Sequence, residues 1–203
     1  MHALPPDLCG RLIDDLSRQN YSVIPNAIPA PLITQLREEF TSHSERFRPA
    51  KVGRSAEAST QLTIRNDSIL WINSGDLLGG EAQLFKLLEH LRVQLNRTLY
   101  LGLTHFEAHY ARYDEGHFYQ RHVDRFQTDD ARTISFVLYL NSGWKDSDGG
   151  HLRLHVTPPV DVVPEAGTLV CFTSADIEHE VLPAHRERMS IAAWFRRDGV
   201  FMT

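Results

Sequence analysis

The stretch Tyr113-Asp114-Glu115-Gly116-His117-Phe118-Tyr119-Gln120-Arg121-His122-Val123-Asp124 decides how the chain is read. Asp114-Glu115-Gly116 is a turn signal between two β-prone runs, 104–113 and 118–124. The second run ends in a His-x-Asp pair. Side chains at i and i+2 of a strand share a face, so His122 and Asp124 would offer an imidazole nitrogen and a carboxylate oxygen to one point. With a second histidine from elsewhere, that is the two-His-one-carboxylate face of a non-haem iron(II) site. Such a pair is a cheap match here, because His43-x-Glu45, His105-x-Glu107 and His185-x-Glu187 also fit. The first of these falls at a helix end and the last in a turn. His105-x-Glu107 opens a strand and stays an alternative. His122-x-Asp124 is favoured because a polar loop follows its strand, as at the mouth of a barrel.

Outward from this stretch the texture is β. Strands are expected near 104–113, 118–124, 132–141, 151–156, 160–163, 168–173, 179–182 and 188–197, separated by Thr128-Asp129-Asp130, Pro158-Pro159, Glu165-Ala166-Gly167 and similar breakers. About eight short strands without intervening helices indicate an antiparallel sandwich or barrel such as a jelly roll. Upstream the pattern is helical. Apolar stripes at helical spacing predict helices over Asp7–Asn20, with Asp7 as N-cap, over Pro29–His43 and over Glu81–Tyr100. A short strand is expected at Tyr21–Pro25 and a loop over Ser44–Thr60. Leu62–Ile72 reads as a hairpin-like excursion around Asn66-Asp67-Ser68. Helices first and strands after make the fold α+β, with the helices on one outer face of the β core. We expect one domain over 1–203, with 1–103 as helical support and 104–197 as the core.

Composition narrows the function. The net charge of −5 lacks the basic footprint of a nucleic-acid binder. No apolar run approaches a membrane span, and the first residues do not read as a signal peptide. Two cysteines far apart, Cys9 and Cys171, form no disulfide framework and suit a reduced, cytoplasmic setting.

A third metal ligand would come from His179, at the start of a late strand; taken alone, that histidine reads as a polar residue closing a turn. Arg188, nine residues on, shifts the weight. Along its strand Arg188, Ser190, Ala192 and Trp194 share one face, and Met189, Ile191, Ala193 and Phe195 share the other. The second set is core. The first suits a pocket wall, with a guanidinium able to clamp a carboxylate bidentately. In 132–141, Tyr139 lies on the polar face and is a second partner for that carboxylate. His151 and His155 are spaced i, i+4, but Leu152, Leu154 and Val156 alternate, so this is a strand with outward histidines, not a zinc helix. Gly149-Gly150 is a turn, and no nucleophile elbow is present.

These residues together resemble the iron(II)- and 2-oxoglutarate-dependent dioxygenases, in particular the prolyl hydroxylases of the hypoxia-sensing type and their bacterial members. The likeness rests on four blocks, in order and similarly spaced between about 62 and 197: Ile64–Ile72, Tyr113–Asp124, Arg132–Asn141 continuing to Gly149-Gly150-His151-Leu152-Arg153, and His179–Arg188 ending at Trp194. It implies a double-stranded β-helix and iron(II) bound by His122, Asp124 and His179. It implies that Arg188 and Tyr139 take the distal carboxylate of 2-oxoglutarate, and that Tyr113 bonds near its chelating end. Trp194, with Ser190 and Ala192, would wall the pocket. Asp67 would pair with Arg132, and about 64–80, including Trp71, would be a finger loop over a peptide substrate. The implied reaction hydroxylates proline C4 with O2, releasing succinate and CO2, with ascorbate as a candidate reductant. The substrate would be a protein presenting a proline in an exposed loop, which for the bacterial members is associated with elongation factor Tu. One position departs: the hypoxia-type enzymes carry a threonine where this chain has Ala192, so no oxygen-sensing role is carried over. The competing readings are an oxygenase of the same class acting on another residue, a small molecule or a base, a non-catalytic protein-binding module, and a zinc hydrolase.

Overall fold

A computed structural model describes residues 7–51, 61–125 and 131–197. Its helices form where the stripes predict. Helix α1 (Leu8–Gln19) buries Leu8, Leu12, Ile13 and Leu16, α2 (Ala30–Ser42) buries Leu32, Ile33, Leu36 and Phe40, and α3 (Gly79–Leu99) buries Leu84, Leu87, Leu88, Leu91 and Leu95. Asp7 takes the N-cap position of α1 but makes no side-chain cap bond. Asn20 ends that helix in the left-handed region, φ 65°, with its N–H donating to the Leu16 carbonyl. Asparagine is among the few residues that visit this region routinely. The N-terminus of α3 is capped from another helix: the buried Glu39 carboxylate accepts the Gly80 and Glu81 N–H groups at 2.7 and 3.0 Å. A Cβ on Gly80 would stand 2.8 Å from that carboxylate, which explains the glycine.

The strands are β1 (Tyr21–Ile24), β2 (Arg48–Pro49), β3 (Ser68–Trp71), β4 (His105–Tyr113), β5 (Tyr119–His122), β6 (Arg132–Tyr139), β7 (Leu152–Leu154), β8 (Val160–Val162), β9 (Leu169–Thr173), β10 (His179–Val181) and β11 (Arg188–Arg196). They form a seven-stranded sheet, ordered β1-β9-β6-β11-β4-β3-β2, and a four-stranded sheet, ordered β5-β10-β7-β8, with every named pair antiparallel. The helices cover one face of the larger sheet, where their leucines meet Tyr110, Phe136, Leu138, Ile191 and Phe195. On its other face Ala111, Tyr113, Tyr139, Val170 and Phe172 meet Leu152, Leu154, Val162 and Val181 of the smaller sheet. This is the expected jelly-roll core with the helices on one outer face, although β1, β2 and β3 join its larger sheet from upstream of 104. The alternation read in 188–197 is obeyed: Ile191, Ala193 and Phe195 point to the helices, while Arg188, Ser190, Ala192 and Trp194 line the space between the sheets.

The upstream segments differ from expectation. Ser44–Arg46 is a 3-10 turn and Arg48–Pro49 a strand, so the stretch from 44 is not all loop, and 52–60 lies outside the described residues. Leu62–Ile72 is not a hairpin closed on itself. Only Ser68–Trp71 is a strand, and it pairs with β4 on one side and β2 on the other. The edge of β4 offers unpaired backbone groups to any extended segment nearby, and a non-local partner outcompeted the local turn. The same strand interrupts the loop expected over 64–80, whose last residues begin α3. Among the described residues no helix is long and apolar enough to cross a membrane. Both cysteines are free.

Candidate active site

Antiparallel pairing of β5 with β10 sets His122 directly opposite His179. Their rings lie 4.2 Å apart, centroid to centroid. Asp124 arrives differently from the expectation. Strand β5 stops at His122, and a bend carries the carboxylate in. Two contacts fix that bend: Arg125 N–H donates to the Ser174 carbonyl at 3.1 Å, and Ser135 Oγ donates to Asp124 Oδ2 at 2.7 Å. His122 Nε2 and His179 Nε2 each stand 3.6 Å from an Asp124 oxygen. That is too long for a hydrogen bond and suits atoms gathered around a shared centre. The ligand atoms of the three residues lie within 4.8 Å of one another.

The tautomers agree with this. Nδ1 of His122 donates to the Gln120 carbonyl at 2.7 Å, and Nδ1 of His179 to the Ile177 carbonyl at 3.1 Å. A carbonyl can only accept, so in each neutral ring Nδ1 holds the proton and Nε2 is left with its lone pair, the orientation a metal-binding histidine needs. Burial pushes His179 down to about 4, against the pull of Asp124. Burial opposes the Asp124 charge, but His179, His122 and the Ser135 hydrogen bond outweigh it and hold the carboxyl below its usual range. At neutral pH His179 therefore presents a neutral nitrogen and Asp124 a carboxylate.

A cavity of about 410 Å³ opens beside the trio. The sheet behind it is laid out in rungs across β3, β4, β11 and β6. Arg188 faces Tyr113; next come Ile69, Ala111, Ser190 and Tyr139; then Trp71, His109, Ala192 and Val137; then Glu107, Trp194 and Ser135. Arg188 is 1% exposed, so its guanidinium belongs to the interior and not to the surface. Its Nε donates to the Gly150 carbonyl at 2.8 Å and its Nη1 to Ser190 Oγ at 3.2 Å. No carboxylate pairs with it among the described residues. The Tyr113 and Tyr139 rings lie 4.9 and 5.1 Å from its guanidinium carbon. The Tyr139 hydroxyl is buried without a hydrogen-bond partner, and burial pushes its pKa up to about 12.

At the other end Trp71 and Trp194 flank His109, with ring centroids 5.0 and 5.2 Å away. The expected pairing of Asp67 with Arg132 is not what the structure shows. Asp67, 1% exposed, takes both arms of the Arg65 guanidinium at 2.7 and 2.6 Å. Arg132 donates to Glu107 at 2.9 and 2.7 Å and stacks on Trp194 at 3.8 Å. Arg65 is two residues from Asp67, while β11 brings Arg132 and Glu107 together, with Glu107 opposite Trp194 on one side and Arg132 opposite Arg196 on the other. With Arg196 also on Glu107 at 3.0 Å, His105-x-Glu107 drops out as a ligand pair. His43-x-Glu45 and His185-x-Glu187 contribute no ligand to the trio. Sequence reasoning passed over Ser135, Ser174, His109, Arg65 and Tyr119, and weighed Glu107 only as a metal ligand. Ser135 had a signal, lying on the polar face of its strand; the others become site residues only through pairing.

The sequence profile of the 2OG-Fe(II) oxygenase superfamily matches residues 108–196. A prolyl 4-hydroxylase from Pseudomonas putida is 42% identical, with 95% of this chain and 100% of that one covered and a TM-score of 0.86. The chain belongs to the iron(II)- and 2-oxoglutarate-dependent prolyl hydroxylases. A member from Trichoplax adhaerens, solved with a peptide fragment of the hypoxia-inducible factor oxygen degradation domain, is 27% identical, with 94% and 90% covered and a TM-score of 0.84. A viral collagen prolyl hydroxylase from Paramecium bursaria Chlorella virus-1, solved with 2-oxoglutarate, is 19% identical, with 89% and 98% covered and a TM-score of 0.64, and shows the fold. Prolyl hydroxylases of this kind use iron(II) and 2-oxoglutarate. The residues present fit both. The trio offers a facial N,N,O set. Among the described residues Arg188 is a buried cation lacking an anion, beside an orphaned hydroxyl, and a small dicarboxylate supplies what both lack.

Proposed function

We propose that this chain hydroxylates C4 of a proline held in a polypeptide, with His122, Asp124 and His179 holding iron(II). In this reading Arg188 and Tyr139 take the distal carboxylate of 2-oxoglutarate, and Tyr113 serves its chelating end. The single observation that carries the reading is the cavity shared by the ligand trio and by Arg188, which is buried and has no acidic partner among the described residues. Bound iron(II) supplies dioxygen activation, in which 2-oxoglutarate leaves as succinate and CO2 and one oxygen atom reaches the proline carbon. The chain's own residues do the rest. Arg188 orients the cosubstrate by charge and by fixed donors. Ser135 holds Asp124 in place, and the two backbone carbonyls hold the histidine lone pairs on target. Ala192, Val137 and Trp194 wall the pocket beside the trio with apolar surface.

A polypeptide substrate is supported by the mouth, where Trp71 and Val123 are 48% and 37% exposed beside the cavity. Large apolar side chains held at a pocket rim mark a binding surface. The peptide bound to the Trichoplax adhaerens enzyme supports the same reading. Elongation factor Tu is the first protein to assay, given the likeness to bacterial members. Ascorbate as reductant and a cytoplasmic setting complete the proposal. The test is succinate release from 2-oxoglutarate with iron(II), together with mass spectrometry of the protein substrate. A gain of one oxygen on a proline, lost in the His122→Ala enzyme, is the expected result. Succinate release without any proline-modified product, across a host proteome, would overturn the substrate assignment.

A further inference from the structure

One face of His122 is covered by a stack that the mechanism above does not use. Tyr119 lies flat on the imidazole, with centroids 3.6 Å apart and planes 15° from parallel. In a regular strand residues three apart point to opposite faces. Here β5 is irregular: His122 pairs with His179 and Tyr119 with Val181, so three steps along β5 answer two along β10. That is a β-bulge, and its extra residue turns Tyr119 onto the side of His122. The Arg65 guanidinium carbon lies over the Tyr119 ring at 4.2 Å. A ring stacked at 3.6 Å leaves no room on the first face, so the guanidinium occupies the second. Burial works against the Arg65 charge and the bidentate Asp67 carboxylate more than offsets it, so the guanidinium stays charged over the ring.

Backbone contacts join the same two segments. Arg65 and Tyr119 form a β-bridge. Gln120 N–H donates to the Ile64 carbonyl at 2.8 Å, and Phe118 N–H to Asn66 Oδ1 at 2.7 Å. Gln120 is also the residue whose carbonyl fixes the His122 tautomer. The run that carries Arg65 and Asp67 continues into β3 and ends at Trp71, on the rim of the mouth. One connected body therefore reaches from the rim to a metal-ligand candidate.

We propose that Asp67, Arg65 and Tyr119 are positioning residues for His122, a stacked brace that couples the rim segment to the metal site. The proposal rests on the reading of His122 as an iron ligand. Its consequence is that a polypeptide seated against Trp71 bears on the body that aims the imidazole, so the brace keeps 2-oxoglutarate turnover matched to proline hydroxylation.

The experiment titrates Mn(II) into the metal-free full chain and separately measures the ratio of succinate to hydroxyproline formed by the iron enzyme. Removing a partner that orients a metal-binding histidine weakens binding by about tenfold or more, and that loss is expected for Tyr119→Leu and for Arg65→Gln, with a raised succinate ratio. Tyr119→Phe keeps the ring and is expected to bind within about twofold of the parent. Mn(II) binding and product ratios that stay at parent values in folded Arg65→Gln or Tyr119→Leu would overturn the brace. So would a Tyr119→Phe loss as large as that of Tyr119→Leu, since the hydroxyl and not the stack would then be responsible. A His122→Ala arm separates the two readings: if that variant binds Mn(II) like the parent, the ligand assignment fails, whereas its loss of Mn(II) with the brace variants unaffected sinks the brace alone.

Discussion

Two arginines sit in this cavity wall, Arg188 buried and Arg65 nearly so, and they are handled oppositely. Arg65 has a carboxylate of its own: Asp67, two residues away, takes both of its arms. Arg188 has a carbonyl and a hydroxyl but no carboxylate among the described residues. A buried cation without an anion is costly, and a chain that keeps one leaves a place for an anion from outside. A buried cation with its own anion is instead a fastener. The comparison teaches that residue type and burial do not tell a binding arginine from a bracing one; the presence or absence of a built-in counter-charge does.

The largest effect should come from the trio that both arginines serve. Asp124→Ala removes the only anionic ligand, and we expect succinate formation to fall by about a hundredfold or more, checked by coupled 2-oxoglutarate turnover with saturating iron. Next, Arg188→Met should raise the 2-oxoglutarate Kd by the about 2–5 kcal/mol typical of losing one side of a buried charge pair, read by calorimetry on the Mn(II)-loaded protein. Its free chain should keep its unfolding free energy within about 1 kcal/mol, since an unpaired buried charge goes with the two hydrogen bonds. Asp67→Asn tests the other arginine. Leaving Arg65 without its anion should cost about 3 kcal/mol in denaturant unfolding, and Arg65→Met on top should recover part of that loss. If Arg188→Met destabilised the free chain as much as Asp67→Asn does, the contrast would fail. The smallest effect is expected from Tyr139→Phe, about 1 kcal/mol in 2-oxoglutarate affinity with no loss of stability, because its hydroxyl bonds nothing in the chain itself.

Much of this was legible before any coordinates. Helical stripes placed α1, α2 and α3 to within a residue or two at each end. Period-two alternation sorted β11 into a helix-facing and a cavity-facing set. His122, Asp124, His179 and Arg188 emerged from strand position and order, sharpened by the family resemblance. What escaped depends on which strands lie side by side. That β3 would pair with β4, leaving no local hairpin at 62–72, follows from an open sheet edge far away in sequence. The Arg132–Glu107 pair exists because β4 and β6 both flank β11. His109 reads as one more histidine until pairing puts it between Trp71 and Trp194. The Tyr119–His122 stack needs a bulge, and a bulge is visible only against its partner strand.

The sequence by itself determined the element types, the side of each strand that would be buried, and the chemical groups available to a site. Those follow from local periodicity and side-chain chemistry, which act over a few residues. Only the tertiary structure decided which cation met which carboxylate, which histidine nitrogen kept its lone pair, and which arginine was left without an anion. Those outcomes depend on distances of a few ångströms between residues far apart in the chain, set by strand register and by the bend that carries Asp124 back to Ser135.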